Sequence, residues 1–139
     1  MADDLLLIVT GSTLAAEAHD RPAAYALRDR ISGWLEREGK SARVRPLVCS
    51  DVWWLNDPSL RERPTVSVGG PEVNALTAYL ADKLPTAFAI DGALMVQMDV
   101  EFGDLLVACW GIDHAQTARA VGAFVERYML AFLEAAMVG

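Results

Sequence analysis

The sequence predicts one α/β domain spanning residues 1–139, a three-layer Rossmann-like sandwich with a mostly parallel mixed sheet. Three observations predict it. Short continuous apolar runs end in glycine, as strands buried on both faces do; helical stretches with apolar residues three and four apart separate them; and two apolar runs near the C-terminus lie too close together for a helix between them. The outcome is a C-terminal hairpin followed by a long C-terminal helix.

Leu5 to Thr10 is the first central strand, stopped at Gly11, and a polar loop from Gly11 to Arg21 follows. Ala24, Leu27, Ile31, Trp34 and Leu35 then share one helical face. Asp20 as a capping acid and Pro22 in the first turn are expected to start that helix, and Gly39 to end it. Ala42 to Cys49 reads as a second strand, and Pro46 within it places it at a sheet edge, where a missing N–H costs nothing. Residues Ser50 to Pro58 read as a long Trp-rich loop, with a turn of helix at Ser59 to Arg63.

Thr65 to Val68 is the next buried strand, stopped by Gly69-Gly70-Pro71. Val73, Leu76, Leu80 and Leu84 mark a second helix ended by Pro85. Two strands, Ala93 to Val100 and Asp104 to Trp110, form the hairpin around Gly103. Asp113 with Gln116 is a variant capping box, and Ala118, Val121, Val125, Tyr128 and Phe132 carry the last helix towards the C-terminus.

Composition narrows the function classes. Apolar residues make up 53% of the chain and charged residues 22%, values of an ordinary globule and not of a disordered segment. Twelve Lys+Arg against 19 Asp+Glu leave a net charge of −7, which phosphate backbones and anionic bilayers repel, so neither nucleic acid nor membrane is an expected partner. No run approaches the ~20 apolar residues of a membrane span. Met1-Ala-Asp-Asp4 carries acids where a secretory signal carries positive charge, and a cytoplasmic location is expected. Cys49 and Cys109 lie within apolar runs and read as buried thiols; no cofactor or metal is expected. A mean hydropathy of +0.24 and aromatic residues in a loop suggest a subunit contact, most simply a two-fold homodimer.

A ligand has one natural place in such a sheet, the rim beyond the carboxyl ends of the strands. Three strand-to-helix turns are expected to meet there: Thr10-Gly11-Ser12-Thr13, Gly69-Gly70-Pro71 and Trp110-Gly111-Ile112-Asp113-His114. Helix starts offer free N–H groups and a partial positive charge, which suit a small anion. Candidate ligand contacts are Gly11, Ser12, Thr13, Asp51, Trp53, Gly69, Gly70, Asn74, Gly111, Asp113, His114 and Thr117. Each also has a plainer reading: Asn74 can bond local backbone, Asp113 can cap, the Gly-Gly-Pro can be a tight turn with strain at Gly70, and one ring of the adjacent Trp53 and Trp54 can be core. His19 and His114 are the only histidines, and a lone histidine is more often a surface or capping side chain than a catalyst. Ser12, His114 and Asp51 could meet as nucleophile, base and orienter, but no Gly-x-Ser-x-Gly elbow accompanies them and no metal-ligand spacing appears, so no catalytic residue is assigned.

Val68-Gly-Gly-Pro-Glu-Val-Asn74, followed by Ala-Leu-Thr-Ala-Tyr-Leu, resembles the Gly-Gly-Pro-x-x-Asn segment of archaeal S-layer-type envelope proteins and their bacterial relatives. The stretch Leu106 to Ala120, with Gly111, Asp113 and Thr117, is similar to the Gly-x-Asp-x-x-x-Thr pattern of the same proteins, and cell-wall-binding repeats share a comparable pattern and a small α/β fold. The resemblance spans Thr65 to Ala120 and marks Gly69, Gly70, Pro71, Asn74, Gly111, Asp113 and Thr117. It implies a scaffolding or binding unit and no reaction. Three functions follow as expectations: a non-catalytic domain that binds a small anion or itself, a small enzyme acting on a phosphorylated or carboxylated metabolite, and a structural envelope unit.

Overall fold

The computed structural model describes residues 4–138. Strands β1 (Leu5–Thr10), β2 (Arg45–Ser50), β3 (Thr65–Val68), β4 (Thr86–Ile90), β5 (Leu94–Met98) and β6 (Leu106–Gly111) form one sheet in the order β2-β1-β3-β6-β5-β4. β2, β1, β3 and β6 are mutually parallel; β5 runs antiparallel to β6, and β4 antiparallel to β5. The predicted α/β class, mostly parallel mixed sheet and β5–β6 hairpin are all present.

Alternate residues of β1 feed two cores, as a central strand requires. Leu6 and Ile8 pack against α1 (Arg21–Arg37), α4 (His114–Arg127) and α5 (Met129–Ala136), through Leu27, Ile31, Phe124 and Phe132. Leu7 and Val9 pack on the other face against α2 (Asp51–Asn56), a 3₁₀ turn at Pro58–Glu62 and α3 (Ala75–Leu80), through Trp54, Leu60, Leu76 and Leu80. The strand order reverses between β1 and β3: α1 carries the chain to β2 on one side, and the segment after β2 returns it to the other.

Five expectations are corrected. The first helix does not start at Asp20. Helical backbone begins at residues 14–15, where Thr13 Oγ1 accepts the Ala16 N–H at 3.1 Å, and it passes through a π-helical turn, Ala16–Asp20, before α1. Pro22 explains the turn: it has no N–H to offer an i−4 carbonyl and its ring crowds that carbonyl, so the preceding turn widens and Arg21 N–H bonds Ala16 O five residues back. Second, the Trp-rich segment is helical, with Ser50 accepting the Trp53 N–H and Asp57 accepting the Ser59 N–H at the two starts. Third, α3 ends at Leu80, short of Leu84. Fourth, Thr86–Ile90 is a strand of its own, although its five uncharged residues behind a proline show little alternation. Fifth, the last helix is broken at Tyr128, whose hydroxyl donates to the Ala87 carbonyl at 3.1 Å.

Pro46 does sit in an edge strand, and Cys49 and Cys109 are free and buried. Burial pushes the Cys49 thiol up to about 11 and Cys109 higher still, so neither is a ready nucleophile. Among the described residues no helix is long and apolar enough to cross a membrane.

Candidate functional site

Because β1, β3 and β6 are adjacent and parallel, their carboxyl ends, Thr10, Val68 and Gly111, gather on one rim beside the point where the strand order reverses. The turns are packed tightly enough to need glycine. A Cβ on Gly11 would fall inside the Val73 carbonyl, so the β3–α3 turn lies directly on the end of β1. A Cβ on Gly111 would overlap the Gln116 side chain. The backbone strain expected at Gly70 belongs to Gly69, which has φ 121° and whose missing Cβ would stand 2.9 Å from Asp20 Oδ2.

Three of the candidate residues hold the rim together. Ser12 Oγ donates to Asp51 Oδ1 at 2.6 Å, and Asp51 Oδ2 accepts the Ala75 N–H at 2.8 Å. Asn74 Oδ1 accepts the N–H groups of Leu76 and Thr77 at 2.9 and 3.2 Å, while its Nδ2 donates to the carbonyls of Val68 and Val9 at 2.9 and 3.2 Å. Asn74 and Asp51 are both buried. The start of α3 is therefore already neutralised by two protein side chains, and an anion would have to displace them.

The start of α4 is different. Asp113 Oδ1 accepts the Gln116 N–H at 2.8 Å, Ile112 N–H bonds Ala93 O at 2.9 Å, and Thr117 Oγ1 accepts the Gly111 N–H at 3.1 Å. Asp113 and Thr117 are thus occupied as local ties. Among the described residues, no hydrogen bond takes the N–H of His114 or of Ala115.

Beside those two N–H groups lies an arrangement joining distant parts of the chain. Asp20 Oδ1 is 2.8 Å from His114 Nδ1, and the His19 ring stacks on the His114 ring with centroids 4.8 Å apart. Asp20 is only 1% exposed, whereas a third of the His114 side chain is open. Asp20 Oδ2 has no hydrogen-bond partner. Burial raises the Asp20 pKa above the ordinary carboxylate range; His114 and His19 oppose the shift and Glu72 adds to it. With Nδ1 held by the carboxyl, the ring orientation is set and Nε2 is the nitrogen left for other partners.

The trio Ser12, His114 and Asp51 does not form a relay: Ser12 bonds Asp51, and His114 bonds Asp20. Trp53 stands at the same rim and is 42% exposed, whereas Trp54 is buried with Nε1 donating to Thr65 Oγ1 at 3.3 Å. Trp110 Nε1 donates to Gln97 Oε1 at 2.8 Å and is a sheet contact. Asp20 is not the expected helix cap: its side chain caps no N–H and instead meets His114. An acid one residue before Arg21-Pro22 looks like a helix start, and nothing local records that the helix had begun earlier. Among the described residues no group of three or more His, Cys, Asp or Glu is placed to hold a metal. Compared with known proteins, the chain matches no family model and no curated protein.

Proposed function

We propose that this chain is a binding domain for a small anion, a carboxylate or a phosphate monoester, received at the start of α4. The observation that carries the reading is the pair of untaken N–H groups at His114 and Ala115, next to an imidazole fixed by Asp20 and a second imidazole stacked on it. A helix start stabilises an anion by about 0.3–1 kcal/mol through its dipole, more where partly buried, and an imidazole N–H can donate a further hydrogen bond. The overall charge of −7 opposes approach of an anion, so a weak site is expected, with a dissociation constant on the order of millimolar.

The test is an amide and imidazole NMR titration with inorganic phosphate and with acetate. Saturable shifts at His114, Ala115 and His19 are expected, with His114→Ala weakening binding roughly fivefold or more. Shifts scattered over the surface, or no saturation, would remove the reading. A second reading, an enzyme with His114 Nε2 as general base, is favoured by one observation, the buried carboxyl on Nδ1. It requires turnover of a phosphate or carboxylate ester that His114→Ala abolishes while backbone binding survives.

A further inference from the structure

Few nucleophilic atoms near the rim are free to react. Ser12 Oγ donates to Asp51, Thr13 Oγ1 and Thr117 Oγ1 accept backbone N–H groups, and Cys49 and Cys109 are buried. His114 Nε2 is the exception. It makes no hydrogen bond among the described residues and is not one of the enclosed unbonded atoms, so it opens to solvent from a side chain that is 34% exposed. Helical side chains lean towards the helix start, which brings this ring to the same end of α4 as the untaken N–H groups of His114 and Ala115. The ring is braced twice: Asp20 Oδ1 holds Nδ1 at 2.8 Å, and the His19 ring stacks on one face. Asp20 is buried and its second oxygen has no partner, so no other group competes for the carboxyl. An imidazole tied to a carboxyl through one nitrogen and open at the other is built as a nucleophile.

We infer that His114 Nε2 accepts a phosphoryl group from a small activated phosphate, an acyl phosphate or a phosphoramidate, and holds it as phosphohistidine at the start of α4. The inference rests on the reading of that helix start as an anion seat and adds a covalent step to it. When the Asp20–His114 pair holds one proton, that proton lies in the bridge between Oδ1 and Nδ1, and Nε2 carries a lone pair. The lone pair forms the N–P bond as the bond from phosphorus to the leaving group breaks, and the leaving group departs with that electron pair. The ring then carries a positive charge, which the bridging proton removes by moving from Nδ1 to Asp20 Oδ1. Burial, which raises the Asp20 pKa, favours that arrival. Phosphoryl transfer depends mainly on positioning and on stabilising charge spread over the phosphoryl oxygens, a task suited to the two free N–H groups. The N–P bond of phosphohistidine is cleaved as readily as a phosphoric anhydride, so an ordinary phosphate monoester cannot supply the group and an activated phosphate can.

Potassium phosphoramidate added to the full chain tests the step, since its P–N bond breaks with release of ammonia. Uptake is read by intact mass and by phosphorus NMR of histidine-labelled protein. One phosphoryl group is expected on His114 Nε2, stable in alkali and lost in acid, and formed at least about tenfold faster than on His19. His114→Gln, at a partly open side chain, should remove this fast uptake. Asp20→Asn, which cannot receive the bridging proton, should slow it at least about tenfold. Asp20→Ala, which frees Nδ1, should let that nitrogen be modified as well, whereas a merely structural Asp20 would leave the position unchanged. Equal rates at both histidines, or no phosphoryl group on His114, overturn the inference. If inorganic phosphate still saturates the His114 and Ala115 amides in that case, the covalent step fails and the anion seat stands; if it does not, both fail.

Discussion

A carboxylate in the middle of a helix, 1% exposed and with one oxygen unbonded, is costly unless something depends on it. Asp20 meets that cost by fixing His114, ninety-four residues away, at 2.8 Å. The cost has a measurable sign. Burial raises the folded-state pKa above that of the unfolded chain, so between the two values the unfolded chain holds fewer protons and folding takes one up. Stability owed to this group is therefore greatest in acid and declines as pH rises through the folded pKa. Asp20→Asn should remove that decline: in urea melts across the acid range, the variant gains on the wild type as pH increases. A difference that stayed constant with pH would mean that Asp20 titrates normally. Gly11 is the opposite case, a residue whose contribution is the side chain it lacks, since the Val73 carbonyl occupies the space of its Cβ.

At the scale of elements, α3 is too short to be stable by itself; six residues give it few internal hydrogen bonds. It is held from its start, where Asn74 caps two N–H groups and ties the same turn to the carbonyls of β1 and β3. Asn74→Ala loses the cap and the two hydrogen bonds to β1 and β3, so a destabilisation of about 2–3 kcal/mol is expected in chemical denaturation. A loss below about 0.5 kcal/mol would show that the neighbouring Asp51 cap suffices. The capping use of Asn74 was legible from its place on the first helical turn. Its second pair of hydrogen bonds was not, because Val9 lies 65 residues away. The start of the first helix was misread for a related reason: Pro22 usually marks a first turn, and here a π turn accommodates it inside a longer helix. The break at Tyr128 has no glycine or proline to announce it and coincides with a hydrogen bond to β4.

For the whole molecule, stability is graded from the middle of the sheet outwards. β1 is flanked on both sides and buried on both faces, whereas β4 is half exposed at an edge. Hydrogen exchange on dilute protein should therefore find β1, β3 and β6 opening only with global unfolding and β4 opening locally, orders of magnitude faster. Equal protection of β4 and β1 in dilute solution would contradict this gradient. The rim inherits its rigidity from the slow strands, since three neighbouring parallel ends carry it.

Apolar spacing is a local property, and it was enough to establish by itself the α/β class, the glycine-ended strands, the edge position of the proline-bearing strand and the buried thiols. It also located the rim, because neighbouring parallel strands must end on the same side. Which side chains meet across that rim was decided only in the folded chain: Asp20 with His114 rather than with a helix start, Ser12 with Asp51, and α3 closed where α4 stays open. Those pairings depend on how helices pack on the sheet and on where a widened turn rotates one residue inward. Such distances are summed over crossovers of the chain and leave no trace in the spacing of any short segment.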